Sequence, residues 1–578
     1  MKNIVVFLLL SSVYSAHCQS WQWGKRGGSA QELDYNAAGP EEAHHLITDS
    51  NKNIYGISRV GQAGLNIDNV VKTNFDTGSY PNDCALFSFA CDGSYRWSKI
   101  IGGINIEIVN PPQVDGQNNV YVSGKFGDCT TDSFYPFRID SDFINTYYDC
   151  RILFLAKYND SGVLQWFKRP QAIGVDPSES YTETRSAGLQ TDASGTNYWL
   201  VRLPPGTYAD GSFVNSQAGS NWFILKYDAA GNYVSNIPLD IQTSPGYAGL
   251  RFQRNPYNGQ FYIYASKGDT SADTATVGGN AITHGMFLAS FNAQGNFLWK
   301  REDTAVDPNY INIYNLAFDP DNNIYIGGKI AGFNFESFLD FSVADAIIPG
   351  FVMKANPDAS QLLWSSNSNS GTESYGSIVL NNTELGYTSY CFGTDFTWGT
   401  QTLNVNALGQ GQEVLLARFN KNSGACIGLT NIPGNSGPND VGASITADAS
   451  GDYILGGSIG GTLSFNNGQQ ITNSGSQTDF FVAKYAMEAC SPLAVNENSL
   501  NTIQLYPNPT KGIVMFDNSK SYFQTVSVYN YLGQEILKPF SCTQGDNVTI
   551  DLTRFLNGVY IIKLDGTYSS RSFKVLKE

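Results

Sequence analysis

One phrase recurs along the chain: a turn headed by Asp or Asn, then a short run of alternating apolar residues. It reads "TDSNKNIYGIS" from Thr48, "VDGQNNVYVSG" from Val114, "TDASGTNYWLV" from Thr191, "RNPYNGQFYIY" from Arg254, "FDPDNNIYIGG" from Phe318 and "TADASGDYILGG" from Thr446, with a degenerate "LNNTELGYTSY" from Leu380. The turn anchors are Asp49, Asp115, Asp192, Asn255, Asp319, Asn381 and Asp448, in steps of 66, 77, 63, 64, 62 and 67 residues. Self-similarity at such a period marks an array of one supersecondary unit, in which each copy buries its apolar face against its neighbours.

Each copy is read as four short strands. The "NIYIGG" type comes first, and a second follows, as in "AGFNF" at 331–335 or "GTLSFN" at 461–466. The third is "LFLAKY" at 153–158, repeated as "WFILKY", "MFLASF", "GFVMKA", "VLLARF" and "FFVAKY"; its pattern is that of a strand buried on both faces. A turn then leads to a Trp-bearing fourth strand, as in "YRWSKIIGG" at 95–103 or "FLWKRED" at 297–303. Four strands repeated radially make the blade of a β-propeller. The last copy ends "DFFVAKYAMEACSPL" with no Trp strand, whereas "WQWGKRGGSA" from Trp21 has no third strand before it. Joining the two completes a blade and leaves no open sheet edge. The expectation is an all-β fold: a seven-bladed β-propeller over 20–487, closed by its N-terminal strand, with Trp23 opposite the strand around Phe480–Tyr485. This phrasing resembles the β-propeller repeat common in secreted bacterial proteins, the SBBP repeat.

The ends predict export. Met1-Lys2-Asn3, an apolar run from Ile4 to Leu10 and Ala16-His17-Cys18 have the layout of a secretory signal peptide over 1–18, too short to span a bilayer. A lipoprotein reading of Cys18 is disfavoured by Ser15 and His17. After a linker at 488–501, short alternating strands over 502–578 predict a small Ig-like β-sandwich. The tail resembles the type A C-terminal sorting domain of the Bacteroidota type IX secretion system. The matching residues are Tyr506, Pro507, Asn508 and Pro509 with Gly512, Leu532-Gly533, Leu556-Asn557-Gly558-Val559-Tyr560, and Lys574. The resemblance implies the type IX machinery and its sortase as partners and passage across the outer membrane of a Gram-negative bacterium. It further implies removal of the tail, then attachment to surface lipopolysaccharide or release.

A net charge of −16 argues against nucleic acid as a partner, because phosphate binding needs basic patches. Beyond the leader stand eight cysteines, an even set that favours disulfides in an oxidising compartment. Cys129–Cys150 is the expected local pair, since both border one insertion. Cys84 and Cys91 would be about 20 Å apart at the ends of a strand, too far to bridge.

Candidate chemistry is sparse. "GGSIG" at 456–460 matches a nucleophile-elbow pattern, but the repeats place Ser458 in a blade strand with no helix after it. Glu41, Glu42, His44 and His45 have metal-binding side chains, yet His44 and His45 begin the first strand of blade one, which should line the channel mouth, and the run is read as a solvated strand start with no metal assigned. Asp319-x-Asp321-x-Asn323 resembles part of a calcium loop, without the distal Glu; Asx turns explain it, and no cofactor is assigned. The Lys of "AKY" (Lys157, Lys226, Lys354, Lys484, with Arg418 in its place once) is read as scaffold because it recurs. What recurs is structure, so function is sought where copies differ. The insertion at 127–150 differs most, and its Phe134, Tyr135, Phe137, Tyr147 and Tyr148 are the candidate ligand loop for a surface polysaccharide or protein. The expected function is non-enzymatic ligand binding or adhesion by a secreted or cell-surface protein with no membrane span. The alternative is an exported, polysaccharide-acting enzyme with a carboxylate pair at the channel mouth.

Overall fold

A computed structural model of the chain describes residues 19–29, 41–61, 64–75, 83–103, 108–126, 137–144, 152–171, 184–243, 249–266, 274–283, 285–303, 310–331, 338–339, 341, 349–371, 375–392, 395–405, 412–435, 440–474, 478–490, 505–518, 523–531, 533–543, 547–566 and 570–578. Among these, every regular element but one short 3-10 turn is a β-strand. The chain divides into two compact units, Met1–Cys490 and Ser491–Glu578. Cys490 falls in the first of these units.

The first unit is built from antiparallel sheets of one plan. In the first, His45–Thr48, Ile54–Val60, Asp83–Phe89 and Tyr95–Gly102 pair in chain order. The same order recurs in Arg185–Thr191, Asn197–Leu203, Asn221–Tyr227 and Tyr233–Leu239, and in Ser377–Leu380, Glu384–Cys391, Glu413–Asn420 and Cys426–Ile432. Sheets around Val120–Lys125, Phe261–Ser266 and Ile324–Ala331 follow it too. The last set, Val441–Ala447, Tyr453–Ile459 and Asp479–Ala486, takes its fourth strand from Ser20–Gly28. There Trp23 stands opposite Lys484 and Gly27 opposite Phe480.

The strand order corrects the expected one. The innermost strand is the segment before the anchor turn, and the "NIYIGG" strand is second. The "GTLSFN" segment is not a blade strand, because its Thr462–Ser464 pairs with Gln470–Thr472 in a separate hairpin. Leu65–Ile67 and Val70–Lys72 form a similar hairpin, added to the outer edge of Ser20–Gly28. Such additions cover outer edges that would otherwise be open to pairing.

Apolar clusters join each sheet to the next. Tyr55, Ile57 and Leu86 of the first sheet pack with Val120, Val122 and Phe154 of the second. The last sheet packs on the first, where the rings of Phe480 and Phe87 stack at 4.7 Å. The tryptophans repeat one contact across these joints. Trp23 Nε1 donates to the Cys91 carbonyl at 3.1 Å, Trp97 to Asp160 at 2.8 Å, Trp166 to Ala229 at 3.1 Å and Trp364 to Lys421 at 3.3 Å. Each indole lies on a turn glycine of the next sheet. At Gly93 (φ +82°) and Gly162 (φ +76°) an added Cβ would stand 2.7 and 2.6 Å from the Trp ring, so both the backbone and the close approach require glycine.

The anchor turns are held by their own side chains. Asp49 accepts the Asn53 backbone N–H and the Tyr55 hydroxyl, each at 2.8 Å, and Asp115 and Asp319 repeat the pattern with Tyr121 and Tyr325. The third-strand lysines complete it: Lys484 reaches Asp448 at 2.7 Å and Lys354 reaches Asp319 at 2.9 Å.

The cysteines are distributed otherwise than expected. Cys91 is bonded to Cys490, 399 residues away. Cys391 and Cys426 are buried thiols, while Cys129 and Cys150 lie outside the described residues. The predicted ligand loop is corrected at Phe137, which is buried and stacks on Phe126 at 4.0 Å. Arg138–Ile139 then pairs with the outer strand Tyr95–Gly102 of the first sheet. This part of the insertion is core, because it fills the joint between two sheets. Phe134, Tyr135, Tyr147 and Tyr148 lie outside the described residues.

In the second unit, Ile513–Asp517 pairs with Asn547–Asp551, and Glu535–Ser541, Phe523–Asn530, Gly558–Gly566 and Ser570–Lys577 form a four-stranded sheet. Val514, Phe516, Val526, Ile550, Ile562 and Val575 from the two sheets share one core.

Candidate functional site

The inner strands of the first unit line two cavities, which share Gln190, Gln253 and Asn315. One, of about 730 Å³, lies among the strand ends and anchor turns, including Asp192, Asp319 and Asp448. Those carboxylates are already engaged by their turns. The other, of about 580 Å³, lies among the strand starts and takes residues from each of the repeated sheets of the first unit. Its wall includes His44, Gln113, Arg185, Arg251, Tyr314, Tyr375 and Ser444. No Asp or Glu is among its described lining residues.

Local structure positions these groups. Arg251, at the start of its inner strand, donates from Nη1 to the Tyr314 carbonyl and lies over the Tyr314 ring at 4.3 Å. Tyr314 in turn meets Tyr375 edge to face at 5.2 Å. Tyr375 has φ +51°, a conformation uncommon for a bulky residue, and the next residue is Gly376 at φ +121°. The Tyr375 hydroxyl donates to Glu42 Oε2 at 2.9 Å, which fixes the ring in the wall. Among the described residues the other Glu42 oxygen has no hydrogen-bond partner, and it stands 3.8 Å from His44 Nδ1. Burial raises the Glu42 carboxyl to about 7 against the opposing effects of Tyr375 and Arg59. Burial, helped by Arg59, holds His44 well below the ordinary imidazole value; His45 is lowered likewise by burial, then by His44 and Arg251.

His44 and His45 line this cavity, as read from the sequence, but the Glu-Glu-x-His-His run does not converge. Glu41 turns away and accepts the backbone N–H groups of Ser29 at 2.8 Å and Gly61 at 2.6 Å. Among the described residues no group of three or more His, Cys, Asp or Glu is placed to hold a metal ion. At the calcium-like turn, Asp319 is engaged by Asn323, Tyr325 and Lys354. Ser458 is buried within strand Tyr453–Ile459. Arg251, Tyr314 and Tyr375 were not singled out from sequence. Their signal was available, since the residues that open the inner strands differ from copy to copy while the anchor turns repeat.

In the second unit, several sorting-motif residues meet the last strand, and others hold turns elsewhere. Asn508 donates to the Lys574 carbonyl at 2.8 Å and accepts the Leu576 N–H at 2.9 Å. Tyr506 exchanges both backbone hydrogen bonds with Met515, and the Tyr506–Pro507 and Asn508–Pro509 bonds are cis. Gly512, at φ +140°, lies where an added Cβ would come within 2.7 Å of Thr553. Gly533 turns at φ +78°, Gly558 pairs with Lys577, and the Tyr560 hydroxyl donates to the Leu556 carbonyl. Leu532 lies outside the described residues.

The fold is thus all-β, with repeated four-stranded sheets. Residues 504–578 match the family described as secretion system C-terminal sorting domain. Such a tail marks the chain as a secreted or cell-surface protein that meets the type IX machinery. Among the described residues, no helix is long and apolar enough to cross a membrane. The uncharacterized WD repeat-containing protein L264 of Acanthamoeba polyphaga mimivirus is 22% identical over 293 residues, 45% of this chain and 20% of that protein. The chain therefore spans about a fifth of that relative's length. Among solved structures, the Dos1 propeller aligns with a TM-score of 0.38 at 8% identity, covering 82% of this chain and 96% of that one. A europium-containing methanol dehydrogenase aligns with a TM-score of 0.35 at 8% identity, covering 81% and 92%.

Proposed function

We propose that the first unit is a seven-bladed β-propeller of SBBP-like repeats, closed by its N-terminal strand, that binds a ligand at its centre without chemical turnover. In this reading the tail is a type A sorting domain, removed by the sortase once the protein reaches the cell surface. The observation that carries the binding reading is the cavity among the strand starts, to which each of the repeated sheets of the first unit contributes. A volume of about 580 Å³ suits a small molecule or the end of a chain. Its described wall holds no carboxylate, whereas the alternative, a polysaccharide hydrolase, would need two facing the cavity. Incubating the purified protein with an array of surface glycans and proteins tests the reading. Retention of an unaltered ligand supports it, and release of cleaved product would replace it with the enzyme.

A further inference from the structure

The net charge of the chain is −16, yet the described wall of the central cavity carries Lys125, Arg185 and Arg251 and no Asp or Glu. Lys125 and Arg185 have contacts of their own, whereas the charge of Arg251 is placed in a concave site that focuses its field. Arg251 is the best placed of the three. One N–H of its guanidinium is tied to the Tyr314 carbonyl, and the group lies over the Tyr314 ring, so its orientation is set in advance. No other hydrogen bond or ion pair of this guanidinium is found among the described residues. A planar fork held in this way suits a carboxylate, which can accept two parallel N–H bonds.

One neighbouring carboxyl is buried. Glu42 is 2% exposed and holds the Tyr375 hydroxyl from the rear. Burial favours its protonated form up to about pH 7, which lessens its repulsion of an incoming anion. The rest of the wall mixes the half-buried rings of Tyr314 and Tyr375 with hydroxyl and amide groups such as Ser377 and Asn315. Rings and hydroxyls together suit a hydroxylated body with apolar faces.

We propose that the cavity binds the acidic sugar unit of a glycan, its carboxylate held by the Arg251 fork and its ring set against Tyr314 and Tyr375. This deepens the binding reading and rests on it.

Titration calorimetry of the full chain with D-glucuronate, D-glucose and inorganic sulfate tests the inference. Glucuronate should bind at least about tenfold more tightly than glucose, and raising the salt should weaken it. Sulfate should compete more weakly, having the charge without the sugar body. Arg251→Gln should cost about tenfold or more in glucuronate affinity, and Arg251→Lys should recover part of it. Equal binding of glucuronate and glucose overturns the acidic-sugar inference and leaves the binding reading standing, and this comparison needs no variant. Sulfate binding as tightly as glucuronate removes the sugar from the inference. If neither these probes nor a wider array of neutral glycans and proteins binds, the binding reading itself fails.

Discussion

The indole of Trp23 donates to the carbonyl of Cys91, so the N-terminal strand touches the first sheet while it pairs with the last. The same cysteine is disulfide-bonded to Cys490, at the end of the first unit. A hydrogen bond, a disulfide and a strand ladder thus converge on one joint, where the two ends of the repeat region meet. Trp21, fully buried on the same strand, instead ties the last sheet to the one before it, donating to the Asn431 carbonyl at 3.0 Å.

Trp23→Ala should destabilise the first unit by about 3–5 kcal/mol, the usual cost of removing a buried aromatic. Thermal melting under non-reducing conditions measures it. Deleting Trp21–Arg26 should cost more and cause association through the bared Asp479–Ala486 edge, visible by size-exclusion chromatography. Unchanged melting would mean that the joint carries no stability.

Cys490→Ser should lower stability by about 2–4 kcal/mol, because the bond closes a long loop of the unfolded chain. Reducing agent should produce the same drop in the parent protein and none in the variant. Differential scanning calorimetry of both, with and without reductant, checks this.

The buried Lys484–Asp448 pair, each side chain 1% exposed, makes a sharper test of the scaffold reading of "AKY". Lys484→Met should cost about 3–5 kcal/mol by stranding a buried carboxylate. The double change Lys484→Met, Asp448→Asn should be milder than the sum of the single changes, measured by urea unfolding.

Glu41 predicts the direction of a pH effect. Burial raises its carboxyl to about 7, against the opposing N–H groups of Ser29 and Gly61, with Asp479 adding to the rise. Between its ordinary value of 4.5 and about 7 the folded chain holds the proton that the unfolded chain has lost. Its contribution to stability is therefore complete below 4.5 and is lost as pH rises through about 7. Asp440, raised to about 7 chiefly by burial, acts in the same direction. His44 and His45, lowered in the fold, act oppositely below about 6.5. Melting temperatures should fall from pH 6.5 to 8, and Glu41→Gln should flatten that slope.

Removing 505–578 should leave the first unit folded, since the two units are separately compact. Cells should retain the shortened protein in the periplasm, whereas the full chain reaches the surface. Fractionation and immunoblotting decide it, and normal display of the shortened protein would sink the sorting role.

Local regularities were legible from the chain alone. The anchor aspartates, the Tyr and Lys that serve them and the Trp–turn glycine phrase recur because each repeat solves the same local problem of turn geometry and sheet packing. The pairing of Trp23 with the strand at Phe480–Tyr485 was legible for a related reason: one unit lacked a strand and one strand lacked a unit. The sorting motif was readable because it is a set of short local phrases, turns and prolines whose spacing the sequence records directly. Other features depend on how the sheets stand to one another, and no local pattern records that. Cys91 finds Cys490 across 399 residues only because the two ends of the array meet. Phe137 reads as an exposed loop aromatic until the joint it fills is built around it. His44, Arg251, Tyr314 and Tyr375 lie on or just before strands of separate sheets, hundreds of residues apart at the extremes, and become neighbours because the inner strands of the first unit begin around one cavity. Sequence periodicity determined the unit; the packing of sheet on sheet decided which non-repeating residues would face one another.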